Sequence, residues 1–169
     1  MSSMEQLYQQ LILDHARTPH GRGLRQGHAA ESFQVNPTCG DEVRLRVHLG
    51  DGAPGRLTGV SWEGQGCSIS QASVSVMAEL VEDVEVTRAE ELGEVFRALM
   101  RSRGAGLSED LEDALGDATA FTGVARYPAR IKCALLGWAA LHDALIQSGA
   151  QGVHRAGTDT GTTDPQENA

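Results

Sequence analysis

The apolar positions of the chain follow two rhythms, and the change from one to the other marks out the architecture. In "EVRLRVHLG", Val43, Leu45, Val47 and Leu49 alternate with Arg44, Arg46 and His48, the period of two expected of a half-buried strand. "DGAPG" then reads as a turn and "RLTGVSWEG" as a returning strand with Val60 and Trp62 on one face. With a weaker strand in "ESFQV", these predict a meander of about three strands. Helical spacing takes over elsewhere. Leu7, Leu11 and His15, with Tyr8 and Ile12 beside them, predict an opening helix over about 4–17, stopped by "TPHGRG". Behind Gly66 the period lengthens again, and Ile69, Ala72, Val76 and Leu80 mark a helix that begins just after Cys67. An acidic helix follows over about 88–101, then a short one with Ser108 as its N-cap. The last helix starts near Pro128, with a core stripe of Ile131, Leu135, Trp138 and Leu145. Helix, strands, then helices is an α+β order: a small antiparallel sheet packed against several helices.

"SGAQGVHRAGTDTGTTDPQENA" has no apolar period, so residues 1–148 are expected to form one domain and 149–169 a disordered tail. A length of 169 residues, 40% of them hydrophobic, suits a single core of that size. No window approaches the roughly 18 uninterrupted apolar residues of a membrane helix. The opening "MSSMEQLYQQ" is acidic and polar where a secretory signal would be basic and then apolar. A soluble, cytoplasmic protein without a membrane partner is expected. Lys and Arg number 14 against 23 Asp and Glu, a net charge of −9. That balance argues against nucleic acid, whose phosphates need a basic face. The excess is local: Glu79 to Asp117 holds twelve acids and four bases, either as solvated helix faces or as a docking surface for a basic partner.

The chemistry rests on three cysteines, Cys39, Cys67 and Cys133. An odd number in a reducing compartment points to thiol chemistry or metal binding and away from a disulfide framework. In "NPTCGDEV", Cys39 and Asp41 are two apart and project to one side of extended backbone, with Gly40 permitting a tight turn. Cys67 lies at the start of a helix, where free N–H groups and the helix dipole lower a thiol pKa. Cys133 lies inside the last helix, about 200° around the axis from Ile131, and so off the predicted stripe. Each thiol alone has an ordinary structural explanation. Together Cys39, Asp41, Cys67 and Cys133 supply three thiolates and a carboxylate, a tetrahedral set suited to Zn²⁺. No CxxC is present, so the set needs a fold that gathers a loop, a helix start and a late helix.

"NPTCGDEV", "GQGCSIS" before a helix and "PARIKCALLGW" resemble, in order, the three cysteine motifs of the SufU family of iron–sulfur cluster assembly proteins, relatives of the IscU and NifU scaffolds. The likeness runs from "LYQQLILDHARTPHGRG" to about Ile146. It implies a zinc held by Cys39, Asp41, Cys67 and Cys133, and a PLP-dependent cysteine desulfurase of the SufS type as partner. It also implies Cys39 as the acceptor of persulfide sulfur and delivery to downstream cluster-assembly machinery. Arg130 matches an arginine of the third motif and is expected to orient a ligand or the incoming persulfide. IscU-type scaffolds carry a histidine before the third cysteine, where this chain has Lys132. The segment from about Arg103 to Tyr127 resembles the stretch that sets SufU apart. Both features favour a sulfurtransferase acting with the desulfurase. The competing readings are a scaffold bearing a transient [2Fe–2S] cluster on the same thiolates, and a module whose zinc only holds the fold.

Overall fold

Strand β2 (Asp41–Leu49) sits inside an antiparallel sheet, between β1 (Ala30–Asn36) and β3 (Arg56–Gln65). The computed structural model of the protein describes residues 2–50 and 55–150. Most of the expected "DGAPG" turn, and residues 151–169 of the expected tail, lie outside the described residues. The register sets Leu45 opposite Ser32 and Trp62, and Val47 opposite Ala30 and Val60. The predicted alternation is therefore real, and Val43, Leu45, Val47, Val60 and Trp62 all turn into the core. A fourth strand, β4 (Val84–Glu85), pairs with Arg56 and Leu57 at the far edge. At two residues it is too short to carry a pattern.

The outer face of the sheet mixes charged groups with two exposed apolar side chains, Phe33 and Val35. Arg44 and Arg46 reach Glu31 at 2.6 and 2.8 Å, and the Arg44 guanidinium lies over the Phe33 ring. His48 departs from the reading that put it with these arginines, because it is only 5% exposed. The segment after the first helix folds over it: Gly21 and Gly23 exchange backbone hydrogen bonds with Trp62, and Ser61 Oγ accepts from the Arg25 N–H. His48 Nε2 is 2.8 Å from that same hydroxyl. Burial holds the imidazole below its ordinary pKa, and the positive charges of Arg25 and Arg46 add to the effect.

Among the described residues, five helices accompany the sheet: α1 (Ser3–Arg17), α2 (Ser68–Leu80), α3 (Val86–Arg101), α4 (Glu109–Leu115) and α5 (Pro128–Ser148), with a 3₁₀ segment over Gly116–Arg126. Ser2 opens α1 through a capping box with Glu5. Ser108 stands at the N-cap of α4 as expected, without a side-chain capping bond. Helix α5 lies across β1 and β2, α2 packs on α5 and α1, and the 3₁₀ segment touches α1, α3 and α5. Phe96 stacks on Trp138 with ring centres 5.0 Å apart and meets Phe121 edge-on at 5.9 Å, so one aromatic group ties α3, α5 and the 3₁₀ segment together. Being enclosed on several sides, α5 buries more than a stripe. Trp138 and Leu145 are buried as expected, Ile131 and Leu135 only partly, and Ala134, Leu136, Gly137 and Leu141 join the core. Cys133 is in that buried arc at 6% exposure, not off it. Gly149 closes α5 in the left-handed conformation.

Two interactions bring α2 and α5 close. Ser73 Oγ donates to the Ala134 carbonyl at 2.7 Å. A Cβ at Gly137 would stand 2.6 Å from Val74 Cγ2 and 3.4 Å from Val74 Cα. Gly137→Ala should therefore push the helices apart and lower stability by about 1–3 kcal/mol. Gly93→Ala in α3, where a Cβ meets nothing nearer than 3.5 Å, should be neutral or stabilising by up to about 1 kcal/mol. Denaturant melts of the pair decide this, and equal losses at both would reject the close-crossing argument.

His48 generates a pH dependence. The unfolded chain takes up a proton in the ordinary histidine range while the fold resists it, so stability is full at neutral pH and falls as pH drops through that range. His48→Gln, which keeps a polar group at Ser61, should shallow the loss of stability between about pH 7.5 and pH 5.5. The measurement is the denaturant midpoint at both pH values for the two proteins.

Candidate metal centre

Asp41 opens β2 on the same side of the strand as Val43, Leu45 and Val47, so the alternation that builds the core also carries a carboxylate into it. The residue is 2% exposed. Three segments come to it. The loop 37–40 between β1 and β2 brings Cys39, turned by Gly40 at φ +79° and closed by a bond from the Gly40 N–H to the Asn36 carbonyl. Cys67 is the N-cap of α2, and its N–H donates to Asp41 Oδ1 at 3.1 Å. Cys133 enters from α5, one turn beyond Ala129, whose carbonyl lies 3.7 Å from its Sγ.

The ligand atoms of Cys39, Asp41 and Cys133 all lie within 4.8 Å of one another. Cys39 Sγ and Cys133 Sγ are 3.8 Å apart, and Cys67 Sγ is 3.7 Å from Asp41 Oδ2. A tetrahedral Zn²⁺ with bonds of about 2.3 Å to sulfur and 2.0 Å to oxygen spaces two sulfurs by about 3.8 Å, and a sulfur from an oxygen by about 3.5 Å. Both measured edges fit. Cys67 is the outlying member: it touches the carboxylate but is not part of the tight trio. Cys39 and Cys67 are exposed and Cys133 is buried.

The electrostatics of the group turn on burial without a counter-charge. Among the described residues, no lysine, arginine or histidine pairs with Asp41. Burial pushes its carboxyl up, but hydrogen bonds from the thiols of Cys133 and Cys39 and from the N–H and thiol of Cys67 outweigh this and hold it below the usual aspartate range. Cys133 moves the opposite way. Burial, then the neighbouring Asp41 carboxylate and Cys67, hold its thiol far above the ordinary cysteine value. A cation at the centre would reverse that penalty, because a coordinated thiol is deprotonated. The donor set and its spacing therefore fit a divalent, thiophilic metal.

Residues 7–134 match the family model described as the NifU-like N terminal domain, a span that includes all three cysteines and Asp41. The chain belongs to this NifU-like family. It is 37% identical over 140 residues to the zinc-dependent sulfurtransferase SufU of Bacillus subtilis, covering 83% of this chain and 90% of that one. It is 34% identical over 149 residues to the iron–sulfur cluster assembly scaffold protein IscU of Streptococcus pyogenes, covering 88% of each. The crystal structure of a putative iron–sulfur cluster assembly scaffold protein for the SUF system from Fervidobacterium islandicum superposes with a TM-score of 0.69 at 31% identity, over 80% of this chain and 93% of that one.

Within this NifU-like frame, the fold gathers Cys39, Asp41 and Cys133, with Cys67 at the carboxylate's edge. Arg130 is not gathered. It is exposed on the first turn of α5 and lines a groove of about 460 Å³ with Ser68, Ile69, Tyr127 and residues of α1. Two residues of the centre escaped the sequence reading. Ser70 Oγ lies 3.9 Å from Cys67 Sγ. At Gly66, φ +152°, an added Cβ would fall onto the Asp41 carboxylate and within 2.8 Å of Ser70 Oγ. The signal available for Gly66 was its place directly before the N-cap cysteine. Gly66→Ala should displace Asp41 and cut the metal content of the purified protein to under half, although every ligand is intact. Metal analysis with a thermal melt tests this, and unchanged metal content would show that the carboxylate does not depend on that space.

Proposed function

We propose that the protein is a zinc-dependent sulfur-transfer protein of iron–sulfur cluster assembly, its domain at residues 1–148 accepting persulfide sulfur from a PLP-dependent cysteine desulfurase onto Cys39. The observation that carries the reading is the buried Asp41 carboxylate, set among cysteine thiols and, among the described residues, paired with no cationic side chain. Cys39, Asp41, Cys67 and Cys133 would hold the metal. When bound, Zn²⁺ supplies the positive charge that keeps the thiols ionised at neutral pH and gives the buried carboxylate a counter-ion. The 37% identity to a zinc-dependent sulfurtransferase supports this branch, as does Lys132 at the position before the third cysteine.

Cys39 is the thiol best placed to react, being exposed on a short loop that can enter another enzyme's cleft. Cys133 is buried in a helix and Cys67 is fixed at an N-cap, so both serve better as anchors. In the transfer, the Cys39 thiolate attacks the outer sulfur of the donor's persulfide. The donor S–S bond breaks, the donor cysteine leaves as a thiolate, and Cys39 carries the new persulfide. Arg130, three residues before Cys133 at the edge of the neighbouring groove, would orient the incoming anionic persulfide.

Cys39→Ala should abolish stimulation of desulfurase turnover while retaining much of the zinc through Asp41, Cys67 and Cys133. In the wild type, mass spectrometry after turnover should find one added sulfur on Cys39 alone. Stimulation by Cys39→Ala, or sulfur mapped to Cys67 or Cys133, would overturn the assignment. Charge-transfer absorption after anaerobic reconstitution with iron and sulfide, with desulfurase turnover indifferent to the protein, would instead make the chain a [2Fe–2S] scaffold.

A further inference from the structure

Away from the thiols, His15 of α1, Glu79 near the end of α2 and Asp117 of the 3₁₀ segment bring one imidazole nitrogen and two carboxylate oxygens within 4.8 Å of one another. We propose that this trio is a second cation site, distinct from the thiol centre and selective for a divalent ion that takes imidazole and carboxylate together, of the Mn²⁺ class.

The imidazole is set up as a ligand. His15 Nδ1 is 2.7 Å from Ser75 Oγ, and that hydroxyl also takes the His20 N–H at 2.7 Å, so it is held from two sides. The bond orients the ring and leaves Nε2 facing Glu79, 3.6 Å from Oε1. Metal-binding histidines are ordinarily fixed in this way, one ring nitrogen on a second group and the other on the ion. The side chain of His15 is 13% exposed and that of Glu79 48%, which gives the site a packed floor and an open mouth for waters of hydration. Around an ion with bonds of about 2.1 Å, neighbouring donor atoms stand about 3.0–3.4 Å apart. The His15–Glu79 edge, at 3.6 Å, is near that spacing, and Asp117 lies within 4.8 Å of both.

The donor chemistry separates this site from the first. It holds no sulfur, so hard and borderline ions are favoured over thiophilic ones. It also stands in the acid-rich span from Glu79 to Asp117, whose field concentrates cations nearby. Its three residues come from three elements, so an ion there would clasp the opening helix to α2 and to the 3₁₀ segment. The end of α2 already rests near the start of that segment, with Leu80 Cδ2 3.9 Å from a Cβ built at Gly116.

The test is a Mn²⁺ titration of the full-length protein followed by the EPR signal of the free ion. Wild type should take up one saturable equivalent. Asp117→Asn, an exposed change that leaves the fold undisturbed, should weaken uptake by about tenfold or more, and His15→Gln should do the same. Cys133→Ser should leave uptake unchanged, because Mn²⁺ selects oxygen and nitrogen over thiolate; this separates failure here from failure of the zinc assignment. Without Mn²⁺, Asp117→Asn should melt with the wild type, and with Mn²⁺ only the wild type should gain. No saturable uptake by the wild type, or uptake that Asp117→Asn and His15→Gln leave intact, would overturn the site. The trio would then be a contact between His15 and two carboxylates that holds no metal.

Discussion

Asp41 occupies a position where the alternation of β2 asks for an apolar side chain, and much of the molecule is arranged around that substitution. A carboxylate taken from water without a cation is costly, by several kcal/mol even after local relaxation. Here the partners are an N–H at a helix start and the thiols of three cysteines drawn from three parts of the chain. These groups favour the charged carboxylate but do not neutralise it. With the proposed zinc in place, its two positive charges would offset part of the negative charge of the donors, and the loop, α2 and α5 would be joined at one point. Folding and metal binding then become one equilibrium.

The frame that makes this possible is the approach of α2 to α5. Gly137 gives up a side chain so that Val74 can sit against the helix backbone, and Ser73 bonds across the gap. That spacing sets the N-terminal end of α2, with Cys67, beside the first turns of α5, with Cys133. The aromatic group of Phe96, Trp138 and Phe121 braces the other side of α5. Stacked and edge-on rings of this kind add about 0.5–1.5 kcal/mol per pair beyond their buried area. The same enclosure buries Cys133 and raises its pKa, while Cys39 on its loop and Cys67 at the start of α2 stay exposed. In the proposed transfer, burial sets Cys133 apart as an anchor, and Cys67 differs from Cys39 in its place at the N-cap of α2, since both thiols are exposed.

The thiol centre and the proposed second cation site differ in kind. One is rich in sulfur, half-buried and built at the starting end of β2, an inner strand. The other has one nitrogen and two oxygens, opens to solvent and lies between helices. Ligand softness lets a single chain keep two such sites apart. Of the acid-rich span, Glu79 and Asp117 belong to the second group, while Arg88–Glu91 and Arg97–Glu94 form pairs along the exposed face of α3. Such exposed pairs contribute little, about 0.3–0.5 kcal/mol each.

By itself the sequence determined the order of the elements, because periods of two and of 3.6 are imposed locally by backbone geometry and survive in any fold that buries one face. It also determined the chemistry available: three thiols, one nearby carboxylate and a motif order that placed the chain in its family. Only the tertiary structure decided which of these groups meet. The contact between Cys39 and Cys133 spans 94 positions, and that between Asp41 and Cys67 spans 26. No local pattern records such distances. The misreadings have the same origin. His48 lies on the polar face of its strand yet is covered by a loop, and Cys133 lies off a stripe that is narrower than the arc α5 buries. Periodicity reports which residues share a face. What comes to lie against that face is settled by the packing of segments far apart in the chain.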